Sequence, residues 1–212
     1  MEEPLTKNLT KAEKTRQLII SEAAVLFNQK GYEGTSMKDI MDATGMSKGA
    51  LYGHFKDKEE IAVAAFQQAV DTVLVEVGKR THSRKSVLDK FREVIFFYKE
   101  RILNPPVEGG CPIQNSSVDA DESRPVLRKE VIRAMDAWQE RIVRTLQKGM
   151  ASGEVRIDID ARDFAINFIG TLEGGIMMAQ LYRDVRYFDT VARQLMKMVE
   201  GLRERSELRN DN

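Results

Sequence analysis

The placement of proline constrains this chain more than any other feature. Proline occurs five times, as Pro4, Pro105, Pro106, Pro112 and Pro125. Inside a helix it removes a hydrogen bond and clashes with the preceding turn, which costs about 3 kcal/mol. Residues 5–104 and 126–212 are therefore free to form long helices, and their apolar periodicity is helical almost throughout. The segment Val155-Arg156-Ile157-Asp158-Ile159 alternates instead. A lone strand has no partner, so it is expected to be an extended connector. The fold class that follows is all-α.

A chain of 212 residues makes one domain or two small ones, and can bury roughly 70% of its unfolded surface. With 42% hydrophobic and 31% charged residues it is not wholly disordered. Lys+Arg and Asp+Glu balance at 33 each, so any nucleic-acid site must be a local patch. The single cysteine, Cys111, excludes an internal disulfide and a multi-cysteine zinc site. No run of ~18 apolar residues suggests a membrane span, and residues 1–14 are too polar for a secretory signal. The expectation is a soluble cytoplasmic protein with no membrane association, no metal and no cofactor. Residues 1–10 are expected to be a flexible segment and the polar tail 203–212 to fray.

The first helix is predicted over residues 11–30, with Ile19, Ala23, Leu26 and Phe27 on one face and Gly31 as its stop. Two very short helices follow. Ser36 can cap the first, with Asp39 in capping-box position and Gly45 at its end. Ser47 can cap the second, which runs through Leu51 to about His54. Asp57 then opens a long helix with Glu60 at its third position, reaching about Lys79. Within residues 35–55, Ile40, Met46, Leu51 and Phe55 are the inward positions. Between them lie small, hydroxylated or cationic residues, the mix a helix needs to approach a major groove. Residues 7–58 carry nine Lys/Arg against six Asp/Glu, a local surplus of three. Spacing alone fits an αα-hairpin with a solvated surface equally well.

The stretch LFNQKGYEGTSMKDIMDATGMSKGALYGHFKDKEEIAVAAF, residues 26–66, resembles the DNA-binding domain of the TetR family of bacterial repressors. The resemblance is carried by Phe27, Gly31-Tyr32, Thr35-Ser36, Ile40, Gly45, Ser47-Lys48-Gly49, Leu51-Tyr52, His54-Phe55 and Lys56-Asp57-Lys58-Glu59, and covers about residues 12–72. It implies a helix-turn-helix headpiece over 11–57, and a helical effector-binding and dimerisation domain over 58–208. It also implies a homodimer that releases double-stranded operator DNA when a small-molecule effector binds. By the same resemblance the DNA contacts fall on Ser36, Lys38, Ser47, Lys48, Gly49, Ala50, Tyr52, Gly53, His54 and Lys58. Gly53 stands where the family often has a bulky contact residue, and Met41 where it usually has alanine.

The long helix after Asp57 has two apolar stripes, Ile61-Ala65-Ala69 and Val63-Phe66-Val70-Val73-Val77. A helix packed on two sides is either a lever between headpiece and body or an ordinary buried helix. In the body, Leu88, Phe91, Ile95, Tyr98 and Ile102 form a stripe that Pro105-Pro106 ends. Pro125 can open the next helix, with Val131, Met135, Trp138, Ile142 and Leu146 on its face. Asp160 begins another, and Asp189 the last. The stripes Phe168, Leu172, Gly175, Ile176 and Val191, Leu195, Val199, Leu202 are expected either to pair with their symmetry mates as a dimer interface or to form core within one subunit.

The glycine-rich loop around Cys111 resembles a GC-x-x-x-N stretch that borders the effector cavity in one branch of the family. Effector-binding candidates are Phe97, Cys111, Ile113, Asn115, Trp138, Phe168, Glu173 and Met177. Cys111 is either a cavity thiol open to electrophiles or a small buried apolar residue. Glu173 either holds a polar or cationic effector group or is a boundary carboxylate. An enzyme is not expected. The histidines are His54 and His82, no HExxH, GxSxG or P-loop is present, and Asp158 and Asp160 lie in a polar connector. A helical adaptor or small-molecule-binding protein without a DNA role is the remaining alternative.

Overall fold

The computed structural model describes residues 9–203. The described residues form nine helices and no strand: α1 (Lys11–Gly34), α2 (Met37–Thr44), α3 (Lys48–Tyr52), α4 (Lys58–Thr81), α5 (Val87–Arg101), α6 (Pro112–Asp119), α7 (Pro125–Ala151), α8 (Ala161–Tyr182) and α9 (Val185–Glu200). Of the segment 1–10 and the tail 203–212, expected to be flexible and frayed, residues 1–8 and 204–212 lie outside the described residues. The alternating segment is a connector whose Val155 makes one isolated antiparallel bridge to Arg203.

Local chemistry explains most helix starts. Thr10 caps α1 in a capping box: its hydroxyl accepts from the Glu13 N–H at 3.2 Å, and the Glu13 carboxylate accepts from the Thr10 N–H at 2.7 Å. Ser36 does the same for α2 with Asp39. The Ser47 hydroxyl accepts from Ala50 N–H at α3, and the Asp57 carboxylate from Glu60 N–H at α4. Pro125 opens α7 and Asp160 caps α8, as predicted.

Three expectations change. Gly31 takes a φ of 73°, which only glycine adopts freely, yet one more turn follows to Gly34, so it kinks α1 rather than ending it. The Tyr32 N–H freed at the kink donates to Asp119 of α6 at 2.7 Å. The supposed loop after Gly110 contains a helix, α6, with Pro112 in its first turn. The last helix begins at Val185 under an Asp184 cap, four residues before Asp189.

Two apolar cores divide the chain, with a third cluster between them. Ile19, Ile20, Ala23, Ile40, Leu51, Phe55, Ile61 and Ala65 form the headpiece core. Phe91, Ile95, Leu146, Phe168, Leu172, Phe188, Leu195 and Val199 belong to the body core. Phe66, Cys111, Ile113, Leu127 and Val131 fill the seam. The α4 stripes thus part as the spacing predicts: Ile61, Ala65 and Ala69 join the headpiece, while Phe66, Val63 and Val70 join the seam. Helices α4 and α8 are each long and apolar enough to cross a membrane. Here α4 packs against α1, α5, α6 and α7, and α8 against α7 and α9, which accounts for apolar residues on more than one face.

Candidate nucleic-acid interface and internal cavity

The fully buried Leu51 anchors α3 and turns the rest of the helix outward. Ser47, Lys48, Gly49, Ala50, Tyr52 and Gly53 are all exposed. Tyr52 is 45% exposed, a large aromatic residue that the fold leaves uncovered, and the Lys48 ammonium lies 5.9 Å from its ring centroid. A side chain added at Gly49 would meet nothing within 4 Å. Lys38 is exposed on the adjoining α2, and His54 is half-buried in the turn after α3.

Two expected contacts differ in detail. The Ser36 hydroxyl already bonds Asp39, which together with Lys30 holds that carboxyl well below the usual carboxylate range. The first-turn N–H groups of Met37 and Lys38, which have no intrahelical acceptor, are the donors left at this end of α2. Lys58 opens α4 but is turned into the seam, its ammonium 4.1 Å from the Tyr32 ring centroid. Burial pushes its pKa down, although the Glu33 carboxylate opposes this. Arg124 stacks on the same ring at 4.8 Å and pairs with Glu33. Lys58 is thus a packed seam cation rather than the free one its sequence position suggests.

The body holds a half-open cavity of about 1330 Å³ between α4, α5 and α7, bounded by the start of α6 and by Phe168 of α8. Of the eight residues expected there, Cys111, Ile113, Trp138 and Phe168 are on its wall. Phe97 is almost completely buried beside a separate 20 Å³ void. Asn115 turns away, because its side-chain amide donates to Asn28 O and Asn28 Oδ1, each at 3.0 Å, and to Gly109 O at 2.9 Å. Met177 is on the outer surface at 51% exposure. Phe66, Phe91 and Tyr98 are wall residues that the periodicity assigned only to packing stripes. A stripe facing a cavity and one facing a neighbour have the same spacing.

Glu173 is off the cavity wall and buried next to Cys111. Neither carboxylate oxygen has a hydrogen-bond partner among the described residues. Burial pushes its pKa up to about 7, with the neighbouring Cys111 thiol acting in the other direction. It is therefore not a solvent-facing boundary carboxylate. Cys111 is also buried, and desolvation, then Glu173, raises its pKa well above the ordinary value. Such a thiol stays protonated, which favours the apolar-residue alternative over a reactive thiolate. No group of three or more potential metal ligands occurs among the described residues.

One segment joins this cavity to the headpiece. The Asn28 amide of α1 donates to Glu108 O at 2.8 Å, Gly110 O at 3.1 Å and Val107 O at 3.5 Å. Gly109 has a φ of 106°, and a Cβ there would lie 2.5 Å from Asn28 O, so neither conformation nor space admits a side chain. Cys111, Pro112 and Ile113, the next residues along, form cavity wall.

The expected dimer stripes also need correction. Phe168, Leu172, Ile176, Leu195, Val199 and Leu202 are at most 2% exposed within the single chain, so they cannot bury further against a partner. Gly175 packs on Val191 of the same chain. The uncovered face of α8 is a different stripe, Ile166, Gly170, Gly174, Met177 and Leu181, flanked by the stacked rings of Tyr182 and Tyr187.

A capped helix pair whose second helix is largely exposed, joined to a helical body that holds a cavity, defines a two-part helix-turn-helix protein. Residues 19–65 match the family of "Bacterial regulatory proteins, tetR family", and residues 87–195 match "Tetracyclin repressor-like, C-terminal domain". The chain belongs to the TetR family and is a DNA-binding transcriptional regulator. Its fold is similar to the crystal structure of a TetR transcriptional regulator from Chloroflexus aurantiacus, with 34% identity and a TM-score of 0.86 over 91% of this chain and 97% of the other. An uncharacterised HTH-type transcriptional regulator of Mycobacterium tuberculosis is 28% identical over 87% of this chain and 93% of its own length. The HTH-type transcriptional repressor DhaR of a Mycobacterium species is 26% identical over 80% and 84%.

Proposed function

We infer that the chain is a ligand-released repressor that binds a near-palindromic operator as a cytoplasmic homodimer and carries out no catalytic step. The observation that carries this reading is the segment 107–113, which holds Asn28 of the headpiece at one end and forms cavity wall at the other. A ligand that reshapes the wall therefore acts on the part of the body that positions α1. It shifts the equilibrium only if it binds the DNA-incompetent arrangement better.

In this reading α3 enters the major groove. Ser47, Lys48, Gly49, Ala50, Tyr52 and Gly53 face the DNA, with Lys38, His54 and the α2 N-terminus on the phosphates. Residues 11–57 are the DNA-binding unit and residues 58–208 the sensory and dimerising unit. The α8 stripe from Ile166 to Leu181 is the homodimer face. It is apolar and otherwise uncovered, and its two glycines allow close helix approach. The test is selection from a random duplex library followed by anisotropy titration. The expected result is a near-palindromic site bound by two chains with steep salt dependence. Absence of any enriched sequence would refute it.

A further inference from the structure

The charges around the cavity are sorted along its length. The Gln67 amide donates to Glu130 at 3.0 Å, which pins the early turns of α4 and α7 together at the headpiece end. At the other end Glu154, just past α7, accepts from the Val87 and Leu88 N–H groups, which brings the start of α5 to the end of α7. The cavity therefore runs from Phe66 and Ile113 to Thr81, Lys90 and Lys148. Along α4 that is about 22 Å at 1.5 Å per residue.

Near the headpiece the rim carries Asp71, Glu130 and Asp136 against Arg133, and Arg133 is paired with Glu130 at 3.1 Å. At the far end it carries Lys90, Arg141, Arg144, Lys148 and Arg162 against Glu140 alone. Glu140 is shared by Arg144 at 3.0 Å and Arg162 at 3.9 Å. Lys90, Arg141 and Lys148 form no ion pair with a described residue, and Lys90 is half-buried. Between the two ends the floor is apolar, with Val70, Val73, Leu74, Val77, Val94 and Ile142.

We propose that the cavity takes an elongated amphiphile with an anionic head group, its head among Lys90, Arg141 and Lys148 and its apolar chain running toward Trp138 and Ile113. The half-buried, unpaired Lys90 is where an anion gains most, since a charge-assisted hydrogen bond there replaces weak solvation. The acidic headpiece end repels the same head group and fixes the orientation. A cavity longer and larger than most drug-sized sites suits a chain rather than a compact ring. This inference rests on the ligand-released reading for its regulatory meaning, but not for its chemistry.

Trp138 is the chain's single tryptophan and lies on the cavity wall, so its emission reports occupancy without DNA. The probes are dodecanoate, dodecyl phosphate, dodecanol and dodecyltrimethylammonium, each titrated below its micellar range. Both anions are expected to bind saturably, about ten-fold or more tighter than the alcohol and the cation, and the stronger of the two names the head group. Lys90→Met should weaken the anions about ten-fold and leave dodecanol unchanged, which also shows that the variant is folded. Equal binding of all four probes, preference for the cation, no binding, or an unaltered anion affinity in Lys90→Met would each overturn the proposal. If an anion fills the cavity while operator affinity stays constant, the ligand class stands and the release mechanism fails. If no probe binds but operator binding is intact, only the ligand class fails.

Discussion

Asn28→Ala tests the headpiece clamp. Asn28 is 7% exposed and its side chain serves four partners: its amide donates to the carbonyls of Glu108, Gly110 and, at long range, Val107, and its Oδ1 accepts from Asn115. Three of these bonds have good geometry, and a net hydrogen bond is worth about 1 kcal/mol. Truncation leaves carbonyls in a partly buried loop without their donor, so the expected loss is about 3 kcal/mol. In urea the midpoint should fall with the slope unchanged, because the surface exposed on unfolding is nearly the same. Asn28→Asp should be worse than alanine above the carboxylate range, since it points a negative charge at three carbonyls. The folded-state pKa of that new carboxyl is then raised, so this variant should gain stability as pH falls through the acid range. A loss below about 1 kcal/mol for alanine, or a more stable aspartate at neutral pH, would refute the clamp.

Other expectations follow from the same structure. Glu173 has a folded-state pKa near 7 against 4.5 unexposed to burial, so the folded chain holds the extra proton between those values. Wild-type stability should therefore decline by about 3 kcal/mol as pH rises from 4.5 to 7, and Glu173→Gln should remove that part of the slope in paired denaturation curves. Leu181→Glu, on the exposed α8 stripe, should yield folded monomers by sedimentation, whereas Leu195→Glu, in the core, should unfold the chain because an unpaired buried carboxylate costs several kcal/mol. Folded dimers of Leu181→Glu would put the interface elsewhere. Lys48→Ala should weaken operator binding and flatten the salt slope by about one unit, while Lys58→Ala should chiefly lower stability through the Tyr32 seam.

The headpiece was legible because its rules are local. Ser36, Ser47 and Asp57 caps, the Gly45 turn and the apolar positions Ile40, Leu51 and Phe55 depend on spacings of a few residues. What sequence could not supply is direction. Leu195 and Val199 share a stripe, but periodicity does not say whether that stripe meets its own chain or another, and the body core takes them. The contrast between Phe97, enclosed, and Tyr98, on the cavity wall, is one residue of helix rotation. Asn115 belongs to the GC-x-x-x-N stretch expected to border the cavity, yet its partner Asn28 is 87 residues away. The resemblance makes Lys58 a DNA contact, and only the folded seam brings Tyr32 beneath its ammonium. The α6 helix was hidden behind the glycines that let residues 109–110 approach α1.

The central claim is that cavity and recognition helix share one conformational equilibrium. Calorimetric titration of a cavity ligand, with and without saturating operator duplex, tests it most directly. Linkage requires the operator to weaken the ligand by the same factor by which the ligand weakens the operator. A coupling of about 1–3 kcal/mol predicts a 5–150-fold lower ligand affinity on the DNA-bound protein. Identical ligand affinities in the two titrations would contradict the account.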